Sequence, residues 1–192
     1  MAASVLCVTD FAAVLLAGGR GSRMGGMHKP ALVVAGRTLL DRCLTAVADA
    51  SPVVVVGPAT TTDRTVFWAR EDPPGGGPVA GLAAGLELIG EATSVAVLAA
   101  DLVGVTADTV ARLRNAVTAD GALLDDGHAQ WLIGVWRTDS LRRVLPKDPA
   151  GASLRSVLGA LDYASVTAEP GETVDVDTPA DLAKAASQHP HR

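Results

Sequence analysis

Three features of this 192-residue chain predict an α/β fold of three layers, a Rossmann-like, mainly parallel mixed sheet with helices on both faces. Short apolar runs rich in β-branched residues alternate with stretches of helical spacing, the pattern of strand, crossover helix and parallel strand. The first of these runs feeds directly into a glycine-rich loop. Late in the chain, Asp126-Gly127 sits between two further apolar runs, a hairpin signal that adds an antiparallel pair.

Taken in order, residues 11–17 (FAAVLLA) read as a strand covered on both faces. Leu39, Leu40, Cys43, Leu44 and Val47 follow a helical period within residues 38–50, which lead into a second strand over 52–57. A third strand is expected over 65–70. Residues 78–90 have helical spacing, and Gly81 and Gly85 let that helix approach a sheet or ligand closely. Residues 94–100 read as another buried strand. Thr106 is an N-cap for a helix over 107–117, but Thr109 stands where a full capping box has Glu or Gln. The hairpin strands fall over 121–125 and 130–136. Trp131 and Trp136, five apart, are expected on opposite strand faces, one of them in the core. Short helices over 140–145 and 153–161 and a strand over 164–168 follow. Thr178-Pro179 gives the last helix its N-cap and a proline at the first helical position.

With 48% hydrophobic residues the chain can bury one sizeable core, so residues 1–192 are read as a single domain with a tail frayed from about residue 187. His189 and His191 in that tail read as solvated. The net charge of −5 and only three Trp, two Phe and one Tyr argue against a nucleic-acid partner, which needs a basic surface and stacking platforms. A small anionic ligand in a local basic pocket fits. Cys7 and Cys43 are too few for a disulfide framework and have no partner at metal-ligand spacing. No run approaches the roughly 20 apolar residues of a membrane span, and residues 1–10 lack the cations of a signal peptide. A soluble cytoplasmic protein with no membrane partner is expected.

The chemistry concentrates after the first strand. Gly18, Gly19 and Gly21 allow backbone N–H groups to converge on phosphate oxygens, and Arg20, Arg23 and Lys29 add positive charge in the same loop. Two common phosphate motifs fail here. A dinucleotide fingerprint begun at Gly19 and Gly21 needs glycine where Met24 stands, and a P-loop needs Lys directly after its last glycine, where Gly26 is followed by Met27. Asp101 emerges at the carboxyl end of a buried strand, where a carboxylate suits either a hard cation or a cap on the next turn. Asp175 and Asp177 share one face of an extended segment. They can approach that cation, or favour the helix N-terminus at Pro179 by charge alone.

The string L-A-G-G-x-G-x-R-M-G from Leu16, closed by Lys29, resembles the signature of nucleotidyltransferases that activate metabolites, particularly the molybdenum cofactor guanylyltransferases. Residues 71–86 (EDPPGGGPVAGLAAGL) resemble that family's D-x-x-x-G-x-G-P-L-A-G-I segment. TVDVDTPADL over 173–182 is similar to its N-I-N-T-P-E-D-L motif. Asp101 matches the Asp of Pro-Cys-Asp-x-Pro, though its neighbours differ; His28 and Gly57 also depart, standing where the family has Asp and often Asn.

The resemblance implies a magnesium-dependent enzyme that moves GMP from GTP to the phosphate of a phosphorylated pterin, molybdopterin, and releases pyrophosphate. Other proteins of cofactor biosynthesis are its implied partners. It implies nucleotide contacts at Leu16, Ala17, Gly18, Gly19, Lys29, Asp72, Gly77, Pro78 and Asp101. Lys29, Arg23 and Asp101 are the implied catalytic groups, and Asp101 with Asp177 the magnesium ligands. Asp72 also suits a turn before Pro73. Two other readings stay open: a transferase of the same fold using CTP or another metabolite, and a nucleotide-binding homologue without turnover.

Overall fold

The computed structural model describes residues 10–18, 29–176, 178 and 180–183. Its centre is a seven-stranded sheet. β1 (Phe11–Leu16) lies between β4 (Val53–Val56) and β6 (Ser94–Ala99), parallel to both, and β5 (Phe67–Ala69) extends the sheet beyond β4 in the same sense. β8 (Ala129–Arg137) runs antiparallel between β6 and β7 (Gly121–Asp125), and β9 (Tyr163–Thr167) pairs parallel with β7. The order is β5-β4-β1-β6-β8-β7-β9. All of these strands except β8 point the same way. Leu16, Val56, Ala69, Ala99, Asp125 and Thr167 therefore end at one edge, where ligands of such sheets bind.

Two apolar layers sandwich the sheet, as the continuous hydrophobic runs of β1, β4 and β6 require. α1 (Leu39–Ala46) and α3 (Ala107–Ala116) bury Leu40, Cys43, Leu44, Val110 and Leu113 on one face. α2 (Pro78–Leu86), α4 (Thr138–Val144) and α5 (Leu154–Leu158) bury Val79, Leu82, Leu86, Leu141 and Leu158 on the other. α2 seats closely because of its glycines: a Cβ on Gly85 would lie 2.5 Å from Val14 Cγ1.

Three local features differ from the sequence expectation. A two-stranded ribbon, β2 (Val33–Val34) with β3 (Arg37–Thr38), turns at Ala35 and Gly36 with φ of 48° and 79°, the paired positive dihedrals of a tight hairpin. The capping box of α3 is complete, because the Thr109 hydroxyl accepts from the Thr106 N–H while Thr106 Oγ1 accepts from the Thr109 N–H. A hydroxyl thus does the work of the missing carboxylate. Trp131 and Trp136 lie on the same face, both edge-on to Tyr163. The β7–β8 register jumps between Leu123, opposite Gly134, and Leu124, opposite Gln130, and this irregularity breaks the two-residue alternation.

Candidate nucleotide site

The carboxyl edge of the sheet is built by short-range backbone bonds. Past β1, Ala17 N donates to Val56 O (2.8 Å), and Ala100 N donates to Leu16 O (3.0 Å), so the loops after β1, β4 and β6 start from a fixed frame. Gly57, with φ of 152°, passes so close to β1 that a Cβ would lie 2.9 Å from the Ala17 carbonyl carbon; the position demands glycine. Beyond this frame opens a cleft of about 490 Å³, its floor and rim including Gly18, Gly57, Glu71, Gly75, Gly77 and Pro78. Gly77 takes φ of 93° as the N-cap of α2 and Pro78 follows at its first turn, so the helix begins at the cleft.

Glu71 is the carboxylate of this cleft. It accepts from Gly75 N (3.1 Å) and rests against Gly18, where a Cβ would lie 3.2 Å from its Oε2. The sequence motif singled out Asp72, which is exposed and absent from the lining. Strand alternation continued past Ala69 already separates these two acids, and motif spacing alone did not use it.

Lys29 opens a single 3-10 turn, Lys29–Ala31, and its Nζ lies 3.7 Å from Asp101 Oδ2. Both side chains are partly exposed, 17% and 25%. Asp101 follows Ala100 at the end of β6, and two elements hold its loop. From α1, Cys43 donates its thiol to Ala99 O (3.4 Å). Burial pushes that thiol up to about 12, and the Asp101 carboxylate adds to the shift, so the proton stays in place to be donated. From the other side, Val103 N donates to Val174 O (3.0 Å), Val176 N donates to Asp101 O (3.2 Å), and Leu102 bridges Asp175 in antiparallel sense. The acidic segment is thereby laid against Asp101, with Val176 buried and Asp175 exposed. Gly19, Arg23 and Asp177 lie outside the described residues, as does Pro179; Thr178 and Asp181 exchange capping hydrogen bonds. Among the described residues no three acidic, His or Cys side chains gather as a complete metal cage.

A glycine-walled cleft and a Lys–Asp pair stand together at the carboxyl ends of parallel strands, the edge at which α/β proteins hold their ligands. The chain belongs to the MobA-like NTP transferase domain family, whose sequence model matches residues 13–180. It is 30% identical over 187 residues to the molybdenum cofactor guanylyltransferase of Acidiphilium cryptum, covering 88% of this chain and 91% of that one. A protein of the same name from Bradyrhizobium sp. is 37% identical over 136 residues, and there the match spans a little under two thirds, 64%, of each chain. Among solved structures, the molybdopterin-guanine dinucleotide biosynthesis protein A of Archaeoglobus fulgidus superposes with a TM-score of 0.70 at 20% identity, over 92% of this chain and 97% of its own. The 2-C-methyl-D-erythritol 4-phosphate cytidylyltransferase of Thermus thermophilus gives 0.70 at 22%, over 91% and 96%. Such identities speak for the fold alone. No helix among the described residues is long and apolar enough to cross a membrane.

Proposed function

We propose that this protein transfers GMP from GTP to the phosphate of molybdopterin, in the cytoplasm, with release of pyrophosphate. The observation that carries the reading is the Lys29–Asp101 pair at 3.7 Å beside the cleft bounded by Gly18, Glu71 and Gly77. An oxygen of the acceptor phosphate attacks the α-phosphorus of GTP. The bond to the bridging oxygen of the β-phosphate breaks, and its electron pair leaves with pyrophosphate. The attacking phosphate is already ionised, so the reaction asks for alignment and charge neutralisation and for no general base. Lys29 and Arg23 neutralise phosphate charge. The base occupies the glycine cleft, where the Glu71 carboxylate and backbone carbonyls accept from the N1–H and N2–H₂ donors of guanine.

The donor set fits magnesium. Asp101 with Asp177 would offer one or two hard carboxylates, the number a magnesium ion takes from protein when phosphate and water oxygens supply the rest. When bound, magnesium supplies charge neutralisation at the reacting phosphates.

Calorimetric titration with GTP and CTP, with and without magnesium, tests the assignment. GTP should bind tighter by about tenfold or more, the worth of a hydrogen-bonded edge; equal or reversed affinities would move the protein to the cytidylyltransferases. Asp101→Asn should nearly abolish pyrophosphate release with the melting temperature held or slightly raised. An active Asp101→Asn enzyme removes the metal role, and a wild type that binds GTP without turnover marks a binding homologue.

A further inference from the structure

Glu172 is almost completely buried, 6% exposed, at a position no phosphate motif includes. Its carboxylate accepts from the Thr109 hydroxyl and the Arg112 guanidinium of α3, both in short contacts, and from Glu169 N at 2.7 Å. Burial alone would raise its pKa. The Arg112 and Thr109 hydrogen bonds, with the Glu169 N–H and the Arg112 charge, outweigh burial and hold it below the ordinary carboxylate range. Arg112 is itself braced by Thr167 O (3.2 Å), Asp108 (3.8 Å) and Glu169 (3.9 Å). Immediately before Glu172 the chain touches the Asp101 loop with no side chain between: a Cβ on Gly104 would lie 2.1 Å from Gly171 O. Immediately after it come the Val174, Asp175 and Val176 contacts to residues 101–103.

We propose that Glu172 is a positioning residue for the Asp101 centre, fixing the register of residues 174–176 against 101–103 from its anchor on α3. Register decides function here because side chains alternate. Asp175 is exposed opposite Leu102 and Val176 is buried, so a slip by one residue would put a valine in place of Asp175 beside the Asp101 loop. The segment makes few backbone bonds of its own, and one isolated bridge with two flanking hydrogen bonds is a weak guide. An ion pair gives a directional anchor where an apolar pair would give only adhesion. A buried ion pair is often replaceable by apolar residues without loss of stability, so stability alone does not account for one at this position. The inference rests on the nucleotidyl-transfer reading, with Asp101 as a magnesium ligand.

The test compares wild type, Glu172→Gln and the double variant Glu172→Leu/Arg112→Met, which fills the space with apolar atoms. Four readouts are taken: melting temperature, GTP affinity without magnesium, the magnesium concentration giving half-maximal pyrophosphate release, and amide exchange at Val103 and Val176. The double variant should melt within a few degrees of wild type and bind magnesium-free GTP normally. It should require about tenfold more magnesium, the usual cost of losing an outer support of a metal ligand, and exchange both amides faster. Glu172→Gln should fall between. A folded double variant with unchanged magnesium requirement and unchanged exchange overturns the proposal, as does activity lost only in proportion to unfolded protein. Should the double variant not fold, Thr109→Val, which removes one donor from the anchor, carries the same expectation at smaller size. A wild type without magnesium-dependent turnover refutes the transfer reading separately, while the exchange measurement still decides whether Glu172 holds the register.

Discussion

Around β1, β4 and β5 the functional edge is made of backbone, with Gly18, Gly57, Gly75 and Gly77 setting its shape and Glu71 as a guest among them. Around α3, β7 and β9 it is made of side-chain anchors, Thr109 and Arg112 of α3 holding Glu172; at the opposite edge of the same strands Asp120 holds Ser140, Arg143 and the Asp162 N–H. The first construction walls a cleft with backbone and tolerates no Cβ at its closest approach. The second fixes where loops lie, beside a separate cleft of about 510 Å³ lined by Asp125, Asp126, Thr167, Glu169, Gly171 and Thr173. In the proposed reading, nucleotide recognition and loop placement fall to opposite halves of one sheet, with Lys29 and Asp101 at the seam.

The sharpest way to strain this division is at the seam. Lys29→Ala should lower turnover by roughly a hundredfold or more, since a charge on a reacting phosphate counts most in the transition state. Steady-state pyrophosphate release measures it, and near-normal turnover would transfer the phosphate contact to Arg20 or Arg23. Next is the backbone half. Gly57→Ala places a Cβ 2.9 Å from the Ala17 carbonyl carbon at φ of 152°, a strain of about 1–3 kcal/mol. It should weaken GTP binding about tenfold with magnesium response intact, the reverse of the Glu172 variants; equal damage to both would erase the distinction between the halves.

The smallest effect belongs to Asp120. The Ser140 hydroxyl, the Asp162 N–H and Arg143 hold its carboxyl down at about 2. A depressed carboxyl contributes stability above its unfolded value, near 4, and loses it as pH falls toward 2. Asp120→Asn should therefore melt a few degrees below wild type near neutral pH, with the gap closing as the pH is lowered toward 2. A gap that persists in acid would mean that the hydrogen-bond geometry, and not the charge, holds this connection.

What was legible in the sequence follows the same division. β1 running into Gly18, the glycine-rich entry to α2 at Gly77 and Pro78, and Asp101 at the end of β6 are local patterns, because backbone conformation is written in neighbouring residues. The Glu172 anchor was not legible: its partners Thr109 and Arg112 lie 63 and 60 residues away, and no spacing rule links them. The motif named Asp72 while the side chain lining the cleft is Glu71, because a motif fixes composition more tightly than it fixes which of two adjacent acids turns inward. The paired faces of Trp131 and Trp136 escaped for a related reason, since the irregularity between β7 and β8 is a property of both strands together.

Cys43 gives the Asp101 loop a built-in clock. Its thiol is buried, protonated and bonded to Ala99 O, so the thiolate that reacts with alkylating reagents is essentially never present while α1 sits on β6. Modification must wait for α1 to lift away. In a Cys7→Ser background, the rate at which Cys43 is labelled thus counts openings of the layer beneath Asp101, and ligands that tighten that layer will slow it without touching the sulfur.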